Sequence, residues 1–109
     1  MGWANRYIDK LKNGESTCFR PTGNSMEGKI RSGQLIKVDP VEERDLKKGD
    51  IVLCTVNGRD YVHLITAIKG KRKNKQLYQI SNNHGYMNGW ISFDHIHGKV
   101  DRLYKEIVV

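Results

Sequence analysis

The Asn57-Gly58 pair stands between two apolar runs, Ile51-Val52-Leu53-Cys54-Thr55-Val56 and the stretch at residues 61–68, and nothing else in the chain limits its fold as strongly. Asn-Gly supplies positive φ at both central positions of a two-residue turn, whose twist matches that of paired antiparallel strands. A β-hairpin is therefore expected in the middle of the chain. The flanking segments continue in β. Residues 35–38 read as a short strand closed by Asp39-Pro40, and residues 41–48 as a polar connection with room for one turn of helix, ending at Gly49-Asp50. A strand at 76–81 is broken by Asn82-Asn83-His84-Gly85, and Met87-Asn88-Gly89 reads as more of the same loop. Strands at 90–92, 95–100 and 103–109 complete the pattern.

The N-terminus differs. Trp3, Tyr7 and Leu11 recur at four-residue spacing beside Ile8, and Asn13-Gly14 is a natural helix stop. This predicts a helix within residues 1–14 that packs its aromatic seam on a β core spanning 15–109. With 109 residues and no internal repeat or linker, a single mainly β domain is expected. No apolar run approaches the roughly 20 residues of a membrane-spanning helix. No h-region of a secretory signal is present either, and Arg6 occupies the place where myristoylation wants Ser or Thr. A cytoplasmic protein without membrane contact is the expectation. Cys18 and Cys54 are too few for a disulfide framework and fit free thiols.

Chemistry concentrates in one pair. Ser25 lies in Gly23-Asn24-Ser25-Met26-Glu27, and His63 lies on the second strand of the hairpin. A serine hydroxyl becomes a nucleophile only when a base within hydrogen-bond reach takes its proton. A neutral imidazole, with an ordinary pKa of about 6.5, serves near neutral pH without strong perturbation. A Gly-containing turn before the serine can aim backbone N–H groups at a developing oxyanion, and Gly23-Asn24-Ser25 can supply such a turn. On a strand, His63 shares a face with Tyr61 and Ile65 and so projects to one defined side.

These residues have a familiar arrangement. Gly23-Asn24-Ser25-Met26-Glu27 with Ile30 and Gly33 before residues 35–38 resembles the nucleophile box of the signal peptidases and the self-cleaving LexA-type repressors. Gly49-Asp50-Ile51-Val52 resembles their second box. Tyr61-Val62-His63 falls where bacterial members carry a general-base lysine, and the archaeal and endoplasmic-reticulum signal peptidases a histidine. Ile80-Ser81-Asn82-Asn83 with Tyr86, then Gly89-Trp90-Ile91 and Ile96-His97-Gly98-Lys99-Val100, resembles the last box. The resemblance covers about residues 22–100. It implies a LexA/signal-peptidase-like β-ribbon fold and a serine endopeptidase with Ser25 as nucleophile, His63 as general base and the N–H groups of Asn24 and Ser25 as candidate oxyanion donors. It also implies an extended peptide or protein substrate held along a sheet edge, with shallow pockets for small side chains. Where histidine-type members carry a late aspartate to orient the imidazole, this chain offers Asn82 and Asn83, with Asp94 as a fallback. No Ala-Gly or Cys-Gly dipeptide precedes Ser25.

The competing reading is a catalytically degenerate member that binds protein, a second copy of itself, or nucleic acid. The formal charge of +7 would attract polyanions, and Lys69, Lys71, Arg72, Lys73 and Lys75 form its densest run. Between two strands, such a run is more simply a solvated turn. His95 and His97 share a strand face, and with His84 or Cys54 invite a zinc reading, but their spacing matches no recurrent site. Neither a metal nor another cofactor is expected.

Overall fold

A computed structural model describes residues 2–70 and 76–104. The chain is mainly β, and the described residues form one short helix, α1 (Asn5–Lys12), and seven strands, β1 (Thr17–Phe19), β2 (Ile36–Asp39), β3 (Ile51–Val56), β4 (Arg59–Lys69), β5 (Leu77–Ser81), β6 (Met87–Ile91) and β7 (Ile96–Leu103). They form one sheet in the order β1-β2-β7-β3-β4-β5-β6, with every neighbouring pair antiparallel. Single 3₁₀ turns at Glu43–Asp45 and Phe93–His95 lie in the connections.

The expected hairpin is β3–β4. Asn57 and Gly58 take φ of +51° and +79°, and Val56 pairs with Arg59 across the turn. The helix ends as its sequence requires. Gly14 adopts φ +80°, and the Glu15 N–H reaches back to the Lys10 carbonyl at 2.9 Å.

Three expectations need correction. Residues 17–19 form strand β1, where no strand is expected. Its three residues, Thr-Cys-Phe, are too short for a visible period. Residues 87–89 are not loop but the start of β6. Residues 96–103 run as one strand rather than two; of the strand expected at 103–109, Tyr104 is already outside β7 and residues 105–109 lie outside the described residues.

Both faces of the central hairpin are covered, so β3 is apolar almost throughout rather than alternating. Leu53, Val62 and Leu64 belong to one core with Ile8 and Leu11 of α1. Val52, Cys54, Val56 and Ile65 belong to the other with Tyr78 and Ile80. Cys54 serves as a small apolar residue. Burial, followed by the nearby Asp60 carboxylate, pushes its thiol pKa up to about 12. Cys18 is exposed, and both cysteines are free. Of the aromatic seam, Tyr7 stacks on Phe19 with centroids 4.4 Å apart, and Leu11 is buried. Trp3 instead remains 51% exposed at the edge of the helix. Among the described residues, no helix is long and apolar enough to cross a membrane.

Candidate active site

Ser25 is carried by a tight turn that the local sequence specifies. Glu27 N–H donates to the Asn24 carbonyl at 3.1 Å and Ile30 N–H to the Met26 carbonyl at 2.8 Å, so residues 24–30 coil once. Met26 and Ile30, one turn apart, drop into the core beneath, leaving Ser25 on the open side. Gly23 enters the turn at φ +108°, a value that a residue with a Cβ rarely adopts. Its N–H is fixed by the Ser32 hydroxyl at 3.0 Å.

Strand β4 brings His63 to this turn from 38 positions away. Its Nε2 lies 3.0 Å from Ser25 Oγ. Its Nδ1 lies 2.7 Å from Asn88 Oδ1. An amide oxygen only accepts, so Nδ1 carries the ring proton. Nε2 is then the acceptor and the Ser25 hydroxyl donates to it, the arrangement a general base requires. The Tyr61 ring stacks on the imidazole with centroids 4.7 Å apart, covering one face. With His63 only 5% exposed, burial holds its pKa below the ordinary value, and the Asn88 hydrogen bond partly counters that. The imidazole therefore stays neutral into mildly acidic solution.

Asn88 is the residue that sequence reasoning missed, and the orienting assignments to Asn82, Asn83 and Asp94 are corrected here. Ser81 pairs with Met87 and Ile80 with Gly89, so Asn88 is the extra residue of a β-bulge. A bulge re-aims the side chain it carries, and this one turns Asn88 toward His63. The signal available in the sequence was the break at residues 82–85 followed by a return strand, which Asn88 and Gly89, both poor strand formers, disguised.

The three nominated residues do other work. Asn82 Oδ1 accepts from the N–H of His84 at 2.8 Å and of Tyr86 at 2.9 Å, shaping the β5–β6 turn. Asn83 clamps the Ser25 turn: its N–H donates to the Ser25 carbonyl at 2.8 Å and its Nδ2 to the Glu27 carbonyl at 2.7 Å. His84 Nε2 adds a third bond to the Asn24 carbonyl at 2.9 Å. Asp94 sits exposed in the second 3₁₀ turn. Asn83→Ala removes one hydrogen bond, worth about 1 kcal/mol. It should slow reaction of Ser25 with an electrophile several-fold while leaving the pH midpoint of that reaction in place. Labelling rates measured across pH would check this, since a residue acting on His63 would move the midpoint.

A cavity of about 250 Å³ opens beside the pair, with Ser25, His63 and Trp3 in its wall. Among the described residues, no group of His, Cys, Asp and Glu could hold a metal. His97 Nε2 instead pairs with the Thr55 hydroxyl at 2.8 Å. Of the basic run, Lys69 lies at the end of β4 with its ammonium 4.4 Å from the centre of the Trp90 ring, a cation–π contact. Lys71, Arg72, Lys73 and Lys75 lie outside the described residues.

The sheet, the serine turn and the histidine on the hairpin define the class of LexA- and signal-peptidase-like proteins. The model of the Peptidase S24-like family matches residues 4–101, and the chain belongs to that family. No curated protein and no solved structure matches it significantly.

Proposed function

We propose that the protein is a serine endopeptidase that cleaves a peptide bond by acyl transfer to Ser25 and then to water, with His63 moving the proton. The observation that carries this reading is the continuous chain Ser25 Oγ–His63 Nε2 at 3.0 Å and His63 Nδ1–Asn88 Oδ1 at 2.7 Å. In the first half-reaction Ser25 Oγ bonds to the substrate carbonyl carbon as its proton passes to His63 Nε2. The tetrahedral oxyanion faces the N–H groups of Asn24 and Ser25, from which no acceptor among the described residues draws a hydrogen bond. The C–N bond then breaks, the amine takes the proton from His63, and an ester to Ser25 remains. Water attacks that ester with His63 again as base, releasing the acid and restoring the hydroxyl.

A fluorophosphonate tests the reading without knowledge of the substrate. Wild-type protein should gain one phosphonyl mass on Ser25 and Ser25→Ala none. Absence of labelling in the wild type would leave the second reading, a degenerate member that only binds. The observation favouring that reading is the amide at Asn88, which stabilises an imidazolium less than a carboxylate does.

A further inference from the structure

The resemblance to signal peptidases and LexA-type repressors implies shallow pockets for small side chains, and the cavity beside Ser25 departs from that. Its volume is about 250 Å³. At about 30 Å³ for each water-sized group, that is room for roughly eight such groups. A methyl group would leave most of it empty and a leucine side chain about half, whereas a phenylalanine side chain would come close to filling it. It is smaller than the 300–1,000 Å³ typical of sites for free-standing small molecules.

The lining explains the difference. Met26 and Ile30 are buried there, and Pro21, Tyr61 and Val62 add further apolar surface. Trp3, just ahead of the helix, adds a wall that the sheet does not supply. Its indole Nε1–H donates to the Asp60 carbonyl at 3.3 Å, and its ring packs edge-on against Phe19 at 5.6 Å. The ring is thus held at both ends while half its surface faces solvent. The indole offers a large aromatic contact face in the wall of the cavity, beside Ser25. Charged groups do not dominate. Arg20, Arg31 and Asp60 bring both signs to the lining. Arg20 Nη1 is directed at the Gly33 carbonyl at 2.9 Å, and Asp60 Oδ1 accepts the Thr55 hydroxyl at 2.7 Å.

We propose that this cavity is a recognition pocket for one bulky apolar side chain, of phenylalanine size, on the peptide that the site engages, with Trp3 as its specificity-determining wall. The inference rests on the peptidase reading only in calling that peptide a substrate.

The test uses binding alone, so its failure is distinct from a failure of Ser25 to react. The chain has two tryptophans, Trp3 and Trp90, whose indole N–H signals are separable by NMR and assignable with Trp3→Phe. N-acetyl-phenylalanine methylamide should shift the Trp3 signal saturably and leave Trp90 in place. Its Kd should be at least about tenfold lower than that of N-acetyl-alanine methylamide, in keeping with the 10–200-fold that extra methylenes are worth in an apolar pocket. Trp3→Ala should weaken the phenylalanine compound several-fold, read on the Val62 amide, and Trp3→Phe should retain most of its affinity. An unmoved Trp3 signal would overturn the proposal, as would equal or tighter binding of the alanine compound. Tighter binding of the glutamate analogue would replace apolar by ionic recognition and overturn it as well.

Discussion

His63→Ala should slow fluorophosphonate labelling of Ser25 by about 10²–10⁴-fold, the range a positioned general base supplies. The ring is buried and stacked against Tyr61, so the truncation also opens a cavity. His63→Gln, which keeps most of the volume and removes the base, should show a similar loss in a protein whose folding is intact. The pH profile separates the base from a merely structural histidine. In the proposed mechanism the working form is the neutral imidazole, and burial lowers the His63 pKa below its ordinary value. Wild-type labelling should therefore rise through a midpoint below about 6.5 and stay flat across neutral pH. A midpoint above that value, or a rate indifferent to His63, would remove the base assignment.

Asn88→Asp extends the same prediction with its sign worked out. A carboxylate on Nδ1 favours the imidazolium, so the His63 pKa rises and the midpoint moves to higher pH. The imidazolium also forms in the transition state, so the plateau rate above the new midpoint should increase. Asn88→Ala should lower the plateau, because nothing then holds the proton on Nδ1. If Asn88 only filled space, Asp and Ala would act alike on the midpoint.

Which parts of this arrangement were legible in the sequence follows from the range of the interactions involved. The Asn57-Gly58 turn and the Gly14 stop are local, set by φ preferences that residue type alone carries. Ser25 and His63 could be named because their surroundings resemble known boxes, but spacing could not show that they meet. That contact depends on Met26 and Ile30 anchoring the serine turn in the core and on the register of Val52 with His63 across the hairpin. Asn88 was hidden for a specific reason. Its direction comes from a bulge, and bulges are settled by pairing with a neighbouring strand, here Ile80 and Ser81. Asn82 and Asn83 were nominated from the chemistry of the amide group. The structure uses that chemistry on backbone atoms of two turns instead of on the imidazole. Trp3 looked like core from its helical spacing, yet its place ahead of the first helical turn leaves it at the rim.

Gly98→Ala should destabilise the fold by about 1–3 kcal/mol, the usual cost of overpacking a tight interior. The reason is space, since Gly98 is not among the glycines at positive φ. A Cβ there would stand 2.7 Å from the Asp39 carbonyl oxygen, 2.8 Å from Val38 Cγ1 and 3.0 Å from Leu11 Cδ1. Leu11 can rotate away, but the carbonyl cannot. Strand β7 is held between β2 and β3 and has no free edge along which to shift. Urea unfolding should show a lower midpoint with an unchanged slope. Adding Leu11→Ala should fail to restore stability, because the backbone contact with Asp39 persists and a buried leucine is lost. A change within about 0.5 kcal/mol for Gly98→Ala would contradict this account. The same substitution has a second consequence at the site. Leu11 seats α1 over Gly98, and Trp3 precedes that helix. Lifting the helix should move the Trp3 indole signal and weaken binding of the phenylalanine compound. The Ser25–His63 pair, carried by other elements, should still react with a fluorophosphonate. Loss of labelling together with the pocket would instead mean that the helix supports the nucleophile turn directly.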